Sequence, residues 1–247
     1  MAKIYGIISG KGGVGKTTSA INLGAALNSL GEDVIIVDSN LSTPNIGLHL
    51  GATAVPVTLN HVLNNKTRIE EAVYKHESGI KIVLSSLSIK ELNNIKYENL
   101  ENMGKQLKKL TDHVILDSSA GVGREVESVI NAADEIILVT QAEIPAITDA
   151  LKVVKLAEQL KKRIKGFIIT RHKGKKTEVP LDNIKDILEV PYLGTVPEDK
   201  NIQLSLSQRD AIVHTHPRSK ASKAYKNIAR KILGRETKTS PFYKFWK

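Results

Sequence analysis

Seven short apolar runs punctuate the chain: IYGIIS (4–9), VIIVD (34–38), IKIVLSS (80–86), HVILD (113–117), EIILVT (135–140), GFIIT (166–170) and PYLGTV (191–196). They are rich in Ile and Val and nearly continuous rather than alternating, which is the pattern of strands buried on both faces in a parallel sheet. Between them, TTSAINLGAALNSLG (17–31), ENLENMGKQLKKL (98–110), PAITDALKVVKLAEQLKKR (145–163) and SKASKAYKNIARKILG (219–234) carry apolar residues at helical spacing. A glycine closes the first and the last of these. The alternation predicts an α/β fold, a single-domain, doubly wound, mostly parallel sheet flanked by helices. There is no internal repeat and no low-complexity linker. The character of the chain changes only near its end, so the expected division is a domain over 1–236 and a tail over 237–247.

Composition narrows this picture. A chain of 247 residues, 41% of them hydrophobic and 25% charged, can bury a sizeable core as one domain. It has no cysteine, which excludes a disulfide framework, a thiolate metal site and a cysteine nucleophile, and a cytoplasmic setting fits. The start, MAKIYGIISG, lacks the basic and then long apolar pattern of a signal peptide, and no run approaches the roughly 20 apolar residues of a spanning helix. The net charge of +10 favours anionic partners without choosing among nucleotide, nucleic acid and acidic lipid. The lysine clusters at 105–110, 161–165 and 171–176 read as solvated faces.

The candidate chemistry begins at residue 10. Gly10-Lys11-Gly12-Gly13-Val14-Gly15-Lys16-Thr17 satisfies G-x-x-x-x-G-K-[ST] between a predicted strand and a predicted helix. In that setting glycine N–H groups converge on phosphate oxygens, Lys16 reaches the β- and γ-phosphates, and the Thr17 hydroxyl ligates Mg²⁺. HVILD followed by SSAG reads as the partner strand, with Asp117 holding the metal through water and Gly121 letting the backbone approach the γ-phosphate. Gly10, Gly12 and Gly15 also spell G-x-G-x-x-G, and Asp38 lies where a dinucleotide fold places its ribose-binding acid. That alternative leaves Lys16, Thr17 and the HVILD strand unexplained.

These residues resemble the deviant Walker A ATPases, the MinD/ParA group, over most of the chain. KGGVGKT (11–17) is similar to that group's P-loop with its extra lysine, and DSSAGVG (117–123) to its switch II. ADEIILVTQAEIPAITDA (133–150) is similar to the following strand and helix, FIITRHK (167–173) and VPEDKNI (196–202) to adenine-side loops, and SKASKAYKNIARKIL (219–233) to the closing helix. The resemblance implies an ATPase that uses ATP and Mg²⁺, with ATP held by Gly12, Gly13, Val14, Gly15, Lys16, Thr17, Thr18, Gly121, Arg171, Pro197, Glu198 and Asp199. Thr17, Asp38 and Asp117 would hold the metal. Lys11 would reach across an ATP-dependent homodimer to the partner's phosphates, by the logic of an arginine finger. The cysteine-dependent branches of the group are excluded, and the flagellar regulators carry an N-terminal extension for which a loop at residue 10 leaves no room. MinD-like proteins that cycle on membrane and ParA-like proteins that cycle on nonspecific DNA remain. An activator or cargo protein is expected in either case.

The tail bears on that choice. TKTSPFYKFWK holds the only tryptophan and two of the three phenylalanines of a chain that is 4% aromatic. With Ser240 as N-cap and Pro241 at the first helical position, Phe242, Phe245 and Trp246 share one face and Lys244 and Lys247 lie away from it; these residues and Tyr243 are the expected membrane contacts. Such an end suits an anionic bilayer interface, and two copies in a dimer would bind by avidity. The expectation is a peripheral protein on the inner face of the cell membrane. The bland alternative is that these aromatics pack on the protein's own surface.

One position departs from the family pattern D-x-D-x-x-x-x-N. Here Asp38-Ser39-Asn40-Leu41-Ser42-Thr43-Pro44-Asn45 lacks the second acid. Among the catalytic set Lys11, Lys16, Asn40 and Asp117, Asn40 can hydrogen-bond a water but cannot accept its proton. The expectation is ATP binding and dimerisation with slow turnover, and its extreme form is a scaffold that does not hydrolyse ATP. His214-Thr215-His216 reads as an ordinary loop rather than a metal site, and Asp134, Glu135 and Glu143 as structural or surface acids.

Overall fold

A computed structural model describes residues 2–52, 55–92 and 95–235. The first half runs β1 (Lys3–Ser9), α1 (Lys16–Asn28), β2 (Val34–Asp38), α2 (Ile46–Leu50), α3 (Leu59–Leu63), β3 (Tyr74–Lys75), β4 (Lys81–Val83), α4 (Ile89–Leu92), α5 (Asn99–Leu107) and β5 (His113–Ala120). The second half runs α6 (Arg124–Ala132), β6 (Glu135–Thr140), α7 (Ile144–Gln159), β7 (Arg163–His172), α8 (Leu181–Leu188), β8 (Tyr192–Pro197), α9 (Asn201–Ser207), α10 (Ile212–Thr215) and α11 (Lys220–Ile232). The sheet order is β3-β4-β2-β5-β1-β6-β7-β8, parallel except for the β3–β4 pair.

The strands follow from their residues. Ile4, Ile8, Ile35, Val37, Val114, Leu116, Ile136 and Leu138 enter one apolar layer, with helices α5, α6, α7 and α8. Their neighbours Tyr5, Ile7, Val34, Ile36, Ile115, Ile137 and Val139 enter the other, with α1, α10 and α11. Because successive side chains point to opposite faces, a continuous apolar run is what a doubly covered strand requires.

Among the described residues each predicted strand and helix is present, with shifted ends, and the helix expected from Pro241 lies outside them. β5 continues past HVILD through Ser118, Ser119 and Ala120, pairing with Ser9 of β1. β7 begins at Arg163, so the helix predicted over 145–163 ends at Gln159, where Lys161 turns the chain at φ 54°. The run 80–86 forms a strand only over Lys81–Val83. The predicted loop at His214 is the short helix α10, where His214 Nδ1 meets Asp210 Oδ1 at 2.9 Å. Asp134 and Glu135 lie at the far end of the sheet. Asp134 accepts the Ile4 N–H (2.8 Å), and Glu135 is buried against Lys3 (3.0 Å) and Arg163 (3.2 Å).

β1 lies where the strand order reverses, between β5 and β6. In open α/β sheets such a point, at the carboxyl ends of the strands, opens the crevice that receives ligands. The 10–17 loop leaves β1 there.

Candidate nucleotide site

The loop is shaped by close approach and by free backbone. A Cβ on Gly10 would lie 2.1 Å from the carbonyl oxygen of Asp149 in α7, so only glycine fits between that helix and β1. Gly15 turns the chain into α1 at φ 87°. At Gly12 and Gly13 an added Cβ would meet nothing within 4 Å, so the loop faces open space. Among the described residues, no backbone N–H from Gly12 to Thr17 donates to a main-chain acceptor. Together with the N-terminus of α1 they form a row of donors of the kind that binds phosphate. The cleft they line is about 280 Å³ and includes Lys16, Thr17, Thr18, Asn40 and Arg171.

The loop is also pinned from below. Val14 is buried, and its carbonyl accepts the Thr170 hydroxyl of β7, which also lies 3.1 Å from the Thr140 carbonyl of β6. Thr170 is thus a positioning residue that the sequence did not single out.

Beneath the loop, Lys16 Nζ donates to Asp117 Oδ1 at 2.8 Å, with Lys16 8% and Asp117 0% exposed. The second carboxylate oxygen of Asp117 is buried without a hydrogen-bond partner. Asp38 lies opposite Asp117 in the β2–β5 register. Its Oδ2 accepts the N–H groups of Asn45 and Ile46 (2.9 Å each) and its Oδ1 that of Asn40 (3.3 Å). Burial first and the Asp117 charge second push the Asp38 carboxyl up to about 8, against the pull of those three donors.

The sign of this shift gives a prediction. The folded protein holds the Asp38 proton between about pH 4 and 8 while the unfolded chain releases it, so the stability it contributes is complete at low pH and lost as pH rises toward 8. In EDTA, stability should fall by up to about 1.4 kcal/mol per pH unit from this group across that window. Urea unfolding at several pH values checks it: Asp38→Asn should flatten the slope, and an unchanged slope would contradict the assignment.

A family described as the CobQ/CobB/MinD/ParA nucleotide binding domain matches residues 5–212, a span that holds the loop, Asp38 and Asp117. The chain belongs to this MinD/ParA family. It is 37% identical over 234 residues to an uncharacterized ATP-binding protein of Methanocaldococcus jannaschii, covering 95% of this chain and 89% of that protein. The cell division ATPase MinD of Pyrococcus furiosus superposes with a TM-score of 0.90 at 31% identity, over 95% of this chain and 99% of that one. The septum site-determining protein MinD of Pyrococcus horikoshii, complexed with Mg-ADP, gives 0.89 at 32% identity, over 94% and 96%.

Against this MinD/ParA frame, the remaining sequence candidates are scattered. Arg171, at φ 50°, lines both the cleft and a neighbouring cavity of about 240 Å³, which Glu198 joins. Glu198 pairs with Lys173 at 3.3 Å. Pro197 lines a different groove, against α11. Asp199 accepts the N–H groups of Asn201 (3.0 Å) and Ala221 (3.3 Å), tying α9 to the start of α11. Gly121, at φ 95°, donates its N–H to the Ser9 carbonyl at 2.9 Å, so a phosphate would compete for that donor.

Lys11 is exposed and is not among the residues lining its own chain's cleft. Asn40 is 6% exposed, with its amide engaged: Nδ2 donates to the Thr43 carbonyl (2.6 Å), and Oδ1 accepts the Thr43 N–H (3.3 Å) and hydroxyl (3.1 Å). The predicted membrane contacts Phe242 to Lys247 lie outside the described residues. Arg235, the last described residue, donates to the Leu30 carbonyl (3.2 Å) just past the C-terminal end of α1. Thirteen residues of helix, about 20 Å, separate that end from the phosphate loop. Among the described residues no helix is long and apolar enough to cross a membrane.

Proposed function

We propose that this protein is a MinD-like ATPase switch that binds Mg-ATP at residues 10–18, dimerises through Lys11 and docks reversibly on anionic membrane through residues 240–247. The observation that carries the reading is the open Gly12–Gly13 loop above the buried Lys16–Asp117 pair, with Lys11 held outside its own cleft. The MinD relatives extend it toward positioning division machinery or other cargo, with a protein activator as partner.

The residues present fit a hard cation. Asp117 offers a buried oxygen with no partner beneath the phosphate loop, and Thr17 lines the cleft above it, oxygen donors of the kind suited to Mg²⁺. The chemistry such an ion supplies when bound is charge neutralisation on the transferring phosphoryl group. The chain's own part is to orient that group with the loop N–H donors, to bring Lys16 to its oxygens, and to supply Lys11 from a second copy. Lys16 must exchange its contact with Asp117 for phosphate, which leaves the Asp117 carboxylate for the metal shell.

Asn40 favours a slow version of this switch. Its amide is committed to Thr43 and it has no proton-accepting form at neutral pH, so an attacking water lacks a base at this position. A long-lived ATP state follows, and in the limit a scaffold that does not hydrolyse.

Co-sedimentation with phosphatidylglycerol-containing liposomes tests the membrane half. ATP-dependent pelleting of the full chain, abolished in a chain ending at Ser240, is the expected result. Both chains remaining in the supernatant while salt-sensitive binding to random duplex DNA appears would replace it with the DNA-cycling branch.

A further inference from the structure

Glu125, in the first turn of α6, spans the space to the loop between β2 and α2. Its Oε1 accepts the consecutive N–H groups of Leu41 (2.5 Å) and Ser42 (3.0 Å), and its Oε2 accepts the Ser42 hydroxyl (3.1 Å). One carboxylate on successive backbone donors is a strong, charge-assisted clamp. The clamped segment follows Asn40 directly, and Leu41 is buried in the same apolar layer as Val126 of α6. Asp38 grips the same loop at Asn40, Asn45 and Ile46. Glu125 therefore adds a second tie, beyond Asn40, between two functional segments that the sheet joins only at their starts, where Asp38 pairs with Asp117 and the Ser39 N–H donates to the Asp117 carbonyl (2.9 Å). One is the 38–46 loop with Asp38 and Asn40, and the other is the 117–123 segment with Asp117, which runs straight into α6.

We infer that Glu125 is a positioning residue of the nucleotide site, which fixes the 38–46 loop to the position of the Asp117–Gly123 segment and so governs how strongly Mg²⁺ tightens nucleotide binding. The inference rests on the nucleotide reading above. A mere anchor would change thermal stability and leave the response to Mg²⁺ intact, whereas a coupling residue changes that response.

The experiment is a fluorescence titration with N-methylanthraniloyl-ADP, in Mg²⁺ and in EDTA, on wild type, Glu125→Ala and Glu125→Gln. Outer-shell partners typically cost 10–100-fold, so the tightening by Mg²⁺ should shrink about tenfold in the alanine variant while affinity in EDTA stays within about twofold. Glutamine keeps an oxygen for both N–H donors and should restore most of the effect. If the alanine variant does not fold, Glu125→Asp, one methylene short of the donors, takes its place. Unchanged tightening by Mg²⁺, equal weakening with and without the metal, or a glutamine variant no better than alanine would each overturn the inference while leaving the nucleotide reading in place. Wild-type protein that binds the probe in neither buffer would overturn that reading, and the inference with it.

Discussion

Lys16→Met is expected to weaken Mg-ATP binding by at least about a hundredfold, the loss of one or two charge-assisted hydrogen bonds at 1.5–3 kcal/mol each. Methionine keeps the length and apolar stem of lysine, so the helix start and the packing around Val14 are retained and the charge alone is removed. The buried contact makes the same change costly to the fold. Asp117 is 0% exposed and loses its Lys16 partner, the only cation paired with it among the described residues, a situation that typically destabilises by about 3–5 kcal/mol. The two losses are separable. Calorimetric titration of variant that near-UV circular dichroism shows to be folded measures binding, and urea unfolding measures stability. Retained affinity in a folded variant would mean that the phosphates lie elsewhere. Undiminished stability would mean that the Lys16–Asp117 pair contributes no more than its desolvation costs.

Asn40→Asp carries the second large effect, an increase in ATP turnover of roughly tenfold or more. A positioned general base contributes about 10²–10⁴-fold, and a carboxylate at this position supplies the proton acceptor that Asn40 lacks. The expected gain is set at the low end by the surroundings. Asn40 Nδ2 donates to the Thr43 carbonyl at 2.6 Å, and an aspartate there would set two acceptors against each other. The Asn40 backbone N–H also bonds Asp38, so the new charge enters near one buried acid already raised to about 8. Faster turnover should therefore come with a lower melting temperature. Phosphate release per chain at saturating Mg-ATP reads the rate, with Asn40→Ala as control for loss of the loop contacts alone. An aspartate variant no faster than wild type would show that Asn40 does not limit hydrolysis.

Local signals in the sequence account for what was legible. The Ile- and Val-rich runs gave the parallel strands because burial on both faces leaves no room for polar residues. The phosphate loop was legible because its glycines, lysine and threonine are contiguous, and Asn40 because it breaks a short pattern. What escaped was short or long-range. α6 does show Val126, Val129 and Ile130 at helical spacing, but nine residues give too few turns for that period to stand out after the glycine-containing DSSAGVG. β3 has two residues, too few for any periodicity. Thr170 and Glu125 act on partners 156 and 84 positions away, a relation that no local pattern encodes. Asp199 lies in a loop similar to the family's adenine side and also ties α9 to the start of α11, a contact across 22 positions that no local pattern encodes.

The proposed switch requires a nucleotide-controlled dimer in which Lys11 serves the partner's site. Sedimentation velocity in Mg-ATP and in Mg-ADP, for wild type and Lys11→Ala, measures this most directly. The predicted result is a wild-type dimer in Mg-ATP and a monomer in Mg-ADP, with Lys11→Ala monomeric in both while still binding nucleotide. Wild-type protein with the same mass in both nucleotides, or a Lys11→Ala protein that dimerises as wild type does, would contradict it.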